Sequence, residues 1–318
     1  MLLLELVSRL VVGRRILPSE REALRGQVRL LGFRKTARGY LWRAVGDGAQ
    51  ARDGLVVIAP ALGGLFPIAV DVADLLLGQE ILTTGSWEPH IVAFYARYLR
   101  AGMTVVDVGA NIGFHALHAA CRVGQQGRVL AFEPDPRNAS LLRMSLGLQE
   151  HRPSVEVIEA ALSDRDGELV LSDLGNPGNA GARFTHQDRG HLERLVHGPH
   201  PTFRTVAAWR FDSRFDPERI DLVKIDVEGF EPRAMAGMAE SIARCRPVIL
   251  TEFAPSNLRE IGGVDPVEYL SWFLDRGYSC SILGCQGVTS GRERFGSIPG
   301  PHVSLSMLHP RPHGRRGA

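Results

Sequence analysis

The stretch Thr104–Gly113, TVVDVGANIG, constrains the fold of this chain more than any other. A β-branched run, Thr104-Val105-Val106, meets an acid and then a glycine-bearing turn, Asp107-Val108-Gly109-Ala110-Asn111-Ile112-Gly113, before a helix-like stretch from Phe114 to Cys121. That order predicts a strand, a tight turn and a helix. Gly109 and Gly113 let the backbone bend sharply and let a ligand approach where a Cβ would collide, and the following helix presents unpaired N–H groups to the crevice. A second apolar run, Arg128 to Phe132, ends on Glu133, about 25 residues beyond Asp107, near the spacing at which an acid meets ribose hydroxyls in dinucleotide-type folds. The pattern predicts a nucleoside ligand.

The glycine spacing selects among nucleosides. A pyrophosphate fingerprint wants G-x-G-x-x-G with its first glycine at the strand end. Here the turn reads D-V-G-A-N-I-G, and Asp107 would repel a pyrophosphate. It suits a ligand carrying positive charge at this loop, such as the ammonium and sulfonium of S-adenosylmethionine.

Further along, helical spacing resumes over Arg137–Leu148 after Pro134-Asp135-Pro136, and Val155–Leu162 reads as a third strand ending in Ser163-Asp164. Ile220–Ile225 is a fourth, leading into Asp226-Val227-Glu228-Gly229, a helix follows over Glu231–Ala243, and Pro247–Leu250 is a fifth strand, ending in Thr251-Glu252-Phe253. A last helix starts at Asp265-Pro266 and stops at Gly277, and Tyr278–Leu283 with Val303–Met307 forms a terminal antiparallel hairpin. Five parallel strands and that hairpin make a seven-stranded α/β sheet, with acids gathered at the carboxyl ends of its strands, where ligands bind in open α/β sheets.

Residues 1–84 read as a strand-rich lead-in, with strands over Gln27–Leu31, Tyr40–Ala44 and Leu55–Ala59 and a helix-like run over Val70–Leu77. The sheet domain spans 85–310, opening on Gly85-Ser86-Trp87-Glu88-Pro89 and an amphipathic helix, and 311–318 is a disordered tail. Trp87 and Glu88 at that helix entrance serve either packing and dipole compensation or a ligand. An insertion of about 167–211 follows the third core strand. Its segment 185–201 holds His186, His191, His197 and His200 at spacings that match no compact ligand pair, so it reads as a solvated, mobile cover rather than a metal site.

Composition sets the outer bounds. A net charge of +2 over 318 residues makes no electrostatic case for nucleic acid or anionic membrane. Cys121, Cys245, Cys280 and Cys285 are scattered without a C-x-x-C pair, as expected of reduced thiols in the cytoplasm. Glu5 and Arg9 interrupt the apolar N-terminus well short of the roughly 20 residues a bilayer requires, so it reads as a small amphipathic helix.

Taken in order, VVDVGANIGFHALHAA, VLAFEPDPRN, ALSDRDG, DLVKIDVEGFE and PVILTEF resemble the FkbM family of S-adenosylmethionine-dependent methyltransferases, over roughly Gly85–Phe253. The resemblance implies a class I, Rossmann-like methyltransferase fold. It implies that Asp107, Gly109, Asn111 and Gly113 form the loop near the methionine part of the cofactor, that Glu133 takes the ribose hydroxyls, and that Ser163 and Asp164 approach the adenine. Asp226 and Glu228 match the fourth-strand acids beside the transferring methyl, and Glu88 matches an upstream site element. His115 departs from the family's usual aromatic residue.

The implied reaction is methylation of a hydroxyl on a small metabolite, sugar, glycan or polyketide, with Asp226 as first candidate base and Glu228 beside it. Asp226, Glu228 and Glu252 are also hard oxygen ligands, although the expectation is a site without metal. Rival readings are N-methylation of an amine and a catalytically idle nucleoside-binding scaffold; a nicotinamide oxidoreductase is disfavoured by Asp107 and the glycine spacing. Acceptor identity and oligomeric state leave no motif.

Overall fold

The computed structural model describes residues 30–36, 39–44, 56–71, 74, 76–149, 154–173, 183–195, 201–283 and 303–310. The N-terminal amphipathic helix, the tail, Cys285, His197 and His200 therefore lie outside the described residues. Cys121, Cys245 and Cys280 are free thiols. Among the described residues no helix is long and apolar enough to cross a membrane.

The chain begins with an antiparallel sheet, β1 (Leu30–Thr36), β2 (Gly39–Ala44), β3 (Val56–Ala61) and β4 (Phe66–Asp71), in sequential order. Here the reading of Val70–Leu77 as helical fails. Phe66–Asp71 pairs with β3 from Ala61↔Phe66 to Val56↔Asp71, so Val70 is in a strand. The helix starts only at α1 (Leu77–Thr84), after a turn in which Asp74 Oδ1 accepts from Leu76 N at 3.0 Å. Next come α2 (Pro89–Tyr98), β5 (Thr104–Val108), α3 (Phe114–Val123), β6 (Arg128–Phe132), α4 (Pro136–Gly147) and β7 (Val155–Ile158). Asp135 starts α4 as expected of an N-cap followed by proline, accepting from Arg137 N and Asn138 N.

The chain then builds a second sheet from β8 (Ala161–Leu162), β9 (Gly167–Asp173), β10 (Thr185–His186) and, after α5 (Arg189–Leu195), β11 (Thr202–Trp209), in the order β10-β9-β11-β8. The single strand expected over Val155–Leu162 thus breaks. β7 stops at Ile158, whose carbonyl accepts from Ala160 N at 2.9 Å, and Ala161–Leu162 pair instead with Ala208–Trp209. Segment 185–195 is more structured than a solvated cover, since Thr185 and Leu192 are buried.

After α6 (Phe211–Arg214) the chain returns to the centre of the first α/β layer with β12 (Leu222–Ile225), then α7 (Glu231–Gly237), α8 (Ala239–Cys245), β13 (Val248–Phe253), α9 (Pro255–Glu260), α10 (Pro266–Asp275), β14 (Tyr278–Ile282) and β15 (Val303–Pro310). The continuous helix expected from Glu231 is broken at Met238, where φ is −123°. A Cβ on Gly237 would stand 1.9 Å from the Ser163 carbonyl oxygen, so α7 docks at a distance only glycine allows.

The central sheet runs β14-β15-β13-β12-β5-β6-β7, with β7, β6, β5, β12 and β13 parallel and β15 antiparallel to both of its neighbours, β13 and β14. Its inner strands are buried on both faces, which is why they read as apolar runs. One apolar core joins β3 and β4 to α2, α3 and α4; the other packs α7, α8 and α10 on the opposite face. Strand order reverses between β5 and β12, because the chain leaves β5 toward β6 and returns on its other side. Such a switch point leaves a crevice beyond the strand ends.

Candidate active site

That crevice is a cavity of about 240 Å³ beyond β5, β6 and β12. Its floor is set by Gly109, at φ +81°, where a Cβ would lie 2.0 Å from the Asp226 carbonyl oxygen. The loop after β5 therefore rests directly on the loop after β12.

One end of the cavity is acidic. Lys224 and Asp107 are register partners on β12 and β5, and both are almost fully buried. Lys224 Nζ lies 3.0 Å from Asp226 Oδ2 and 4.0 Å from Asp107 Oδ1. Burial pulls the Lys224 ammonium down, but Asp226, Asp107 and Glu88 outweigh it and hold its proton above the ordinary lysine range. Burial raises the Asp107 carboxyl, against Lys224 and His115. Neither Asp107 oxygen has a hydrogen-bond partner.

Glu88 precedes α2 and meets His115 Nε2 at 2.8 Å. Burial pushes its carboxyl up, but the His115 hydrogen bond and charge bring it below its usual value. Glu228 accepts from Asn257 Nδ2 at 3.1 Å, and burial with the Asp226 charge pushes it up to about 8. Glu231 pins the same loop by accepting from Val227 N and Gly229 N. Glu252, at the end of β13, is pushed up to about 10 by burial and by Asp226 and Glu228, and its Oε2 lacks a partner. Carboxylate oxygens of Asp226, Glu228 and Glu252 lie within 4.8 Å of one another, close enough that bound protons or a hard cation would relieve their repulsion.

At the other end stands Glu133, 5% exposed. Its Oε2 accepts from Asn111 N at 2.8 Å and its Oε1 from Asp135 N at 2.9 Å. Burial pushes it up to about 7, against those two bonds and Arg183. Each oxygen retains acceptor capacity, so a ligand's paired hydroxyls would find a carboxylate fixed in orientation. Pro134 and Ala160–Leu162 continue the wall, and Leu171, Arg183 and Thr185 close it from the second sheet.

Backbone strain concentrates here. Among the described residues the non-glycine positions with left-handed backbone are Leu62, Glu88, Asn111, Glu228 and Arg246. Glu88 (φ 45°), Asn111 (φ 52°) and Glu228 (φ 55°) all line the cavity. Conformations of this kind persist where surrounding contacts hold them, and they cluster at functional sites.

Of the residues expected at the site, Glu88, Gly109, Asn111, Glu133, Asp226 and Glu228 line the cavity, whereas Asp107, Gly113, Ser163 and Asp164 do not. Asp107 is buried beside the lining, and Lys224 Nζ lies 4.0 Å from its carboxylate. Gly113 starts α3 against Leu142. Ser163 is buried, and Asp164 turns to Arg233 at 2.8 Å. The break after β7 brings Ala160–Leu162 to the wall in place of those two. Lys224, Arg183 and the His115 contact were missed. A lysine inside the apolar run Leu222–Ile225 was a readable signal for the first; Arg183 carried none.

The family description "Methyltransferase FkbM domain" matches residues 107–280. The chain is 29% identical over 181 residues to methyltransferase sdnD of Sordaria araneosa, a match covering 49% of this chain and 68% of sdnD. It is 28% identical over 163 residues to the 2-O-methyltransferase NoeI of Sinorhizobium fredii (strain NBRC 101917 / NGR234), covering 49% of this chain and 65% of NoeI. These matches thus span about two thirds of each relative's length. The solved structure of methyltransferase FkbM from Methylobacillus flagellatus KT aligns with a TM-score of 0.41 at 15% identity, covering 69% of this chain and 50% of that one.

Proposed function

The chain belongs to the FkbM methyltransferase family and is an S-adenosylmethionine-dependent enzyme, and we propose that it methylates a hydroxyl of a small metabolite, sugar or polyketide, with Glu228 as proton acceptor. The cavity fits the cofactor on its own chemistry. Glu133 would hold the ribose hydroxyls, the backbone at Gly109–Asn111 would lie along the methionine part, and Glu88 and Asp226 would face its ammonium. Bound there, S-adenosylmethionine supplies a methyl carbon already activated by its sulfonium.

What remains for the protein is to hold an oxygen nucleophile in line, keep water out and accept a proton. The observation that carries the base assignment is the unequal pairing of the two acids. Asp226 is held by Lys224 at 3.0 Å, so its charge is engaged by a buried ammonium. Glu228 lines the cavity, accepts one hydrogen bond from a neutral amide, and is pushed up to about 8, in the range a general base requires. Asp226 then holds Lys224 and the cofactor end rather than taking the proton.

The acids also bear on the acceptor. Asp226, Glu228 and Glu252 offer carboxyl and carboxylate oxygens rather than cationic donors at this end, which supports a hydroxyl acceptor over a phosphate backbone. The relative NoeI, a 2-O-methyltransferase, agrees with oxygen as the nucleophile. The same acids would attract an ammonium, which makes an amine acceptor the second reading.

Calorimetric titration with S-adenosylhomocysteine tests the cofactor site. Glu133→Ala is expected to weaken binding about tenfold, the scale of a charge-assisted hydrogen bond. Labelled methyl transfer to polyols, amines and RNA tests the acceptor, with label on oxygen expected. Label confined to nitrogen or RNA would overturn the hydroxyl reading, and a folded wild type that binds no S-adenosylhomocysteine would overturn the site itself.

A further inference from the structure

Arg183 enters the cavity from the second sheet, just before β10, and its side chain is 8% exposed. Its Nε lies 3.7 Å from Asp135 Oδ2 and its Nη2 3.8 Å from Asp173 Oδ2. Both separations are ion-pair distances, too long for hydrogen bonds. Nε and Nη1 have no hydrogen-bond partner. A buried guanidinium with open donors is costly unless a ligand fills them.

The surroundings restrict that ligand. Asp135 is held in place by its capping bonds at the start of α4, and its Oδ2 also faces Arg204 at 3.8 Å. Asp135 and Asp173 thus already supply the counter-charge, and Glu133 lies close enough to feel the Arg183 charge. What Arg183 lacks is a neutral acceptor, not an anion. The cavity it enters also has apolar lining, including Pro134, Ala161, Leu162 and Leu171. A flat, uncharged heterocycle with acceptor nitrogens, joined to a hydroxylated ring, has the chemistry this corner demands.

We propose that Arg183 binds the adenosine half of the cofactor, donating from its guanidinium to a neutral acceptor atom of that half and so tying the second sheet to cofactor occupancy. The inference rests on the placement of the cofactor with its ribose at Glu133. It makes the second sheet part of the cofactor site, where the sequence suggested only a cover over the substrate.

The test is calorimetry on the full chain, titrating S-adenosylhomocysteine and adenosine into wild type, Arg183→Met and Arg183→Lys. Arg183→Met is expected to weaken both ligands about tenfold and equally, since the contact lies in their shared half. Arg183→Lys keeps the charge that Asp135 and Asp173 face but loses the planar fork, and is expected to remain about fivefold weaker than wild type. It also covers the case in which Arg183→Met does not fold. Against wild type, one of 1-deaza-, 3-deaza-, 7-deaza- or 2′-deoxyadenosine should bind about tenfold more weakly than adenosine, and that analogue should lose nothing further on Arg183→Met. Folded Arg183 variants that bind both ligands within about twofold of wild type would overturn the inference while leaving the cofactor site intact. Wild type that binds neither ligand would instead bring down the cofactor placement, and the inference with it.

Discussion

At its acidic end the cavity carries its own counter-charge, whereas at the Glu133 end it leaves donors and acceptors open. Lys224 reaches both Asp107 on β5 and Asp226 just after β12, so these two acids share one ammonium before any ligand arrives. Glu133 and Arg183 both line the cavity, each held by backbone bonds or ion pairs yet each with unfilled capacity. The first arrangement builds a field that must stay constant through turnover. The second suits a group that enters and leaves, because its polar atoms can exchange water for ligand without disturbing the sheet.

The sharpest way to break this contrast is Lys224→Met. Removing the ammonium strands Asp107, 1% exposed, beside Asp226, and loss of one partner from a buried pair costs about 3–5 kcal/mol. Urea denaturation should show that loss, and Lys224→Met combined with Asp107→Leu should recover part of it. If Lys224→Met alone denatures like wild type, the acidic end does not depend on an internal counter-charge. Glu228→Gln tests the same end through turnover: transfer should fall about 100-fold while S-adenosylhomocysteine binding changes little. In wild type the rate should climb with pH and level off above about 8, because the proposed base, Glu228, accepts a proton only when ionised. A profile already flat from pH 6 would return the proton to another group.

How much of this was legible depends on where the information lay. β5, β6, β12 and β13 were readable because strands buried on both faces are apolar runs, and Glu133, Asp226 and Glu228 because they end such runs. Ser163 and Asp164 stand off the cavity lining because Val155–Leu162, strand-like along its length despite Glu156 and Glu159, serves two sheets, which only pairing with β11 reveals. Val70 and Asp71 misled because a hairpin partner, not local spacing, decides their conformation. Arg183 was invisible. Its meaning lies in contacts with Asp135, before α4, and Asp173, on β9, which no local pattern records.

The smallest expected effect concerns how the acid cluster is neutralised. Glu133, Glu228, Glu231 and Glu252 are pushed up to about 7, 8, 7 and 10, chiefly by burial. A carboxyl with its folded pKa above its unfolded one keeps a proton in the native chain that the unfolded chain has already released. Stability of the ligand-free protein should therefore fall as pH rises from about 4.5 to 8. Glu252→Gln removes one of these groups, flattening that decline and stabilising the protein by about 1 kcal/mol or more at pH 8. Protons and Lys224 together leave the three acids little need of a cation, so magnesium should not move the melting curve of wild type. A magnesium-dependent rise that Glu252→Gln abolishes would show instead that Asp226, Glu228 and Glu252 hold a metal, and that the acidic end, like the Glu133 end, waits for a partner from solution.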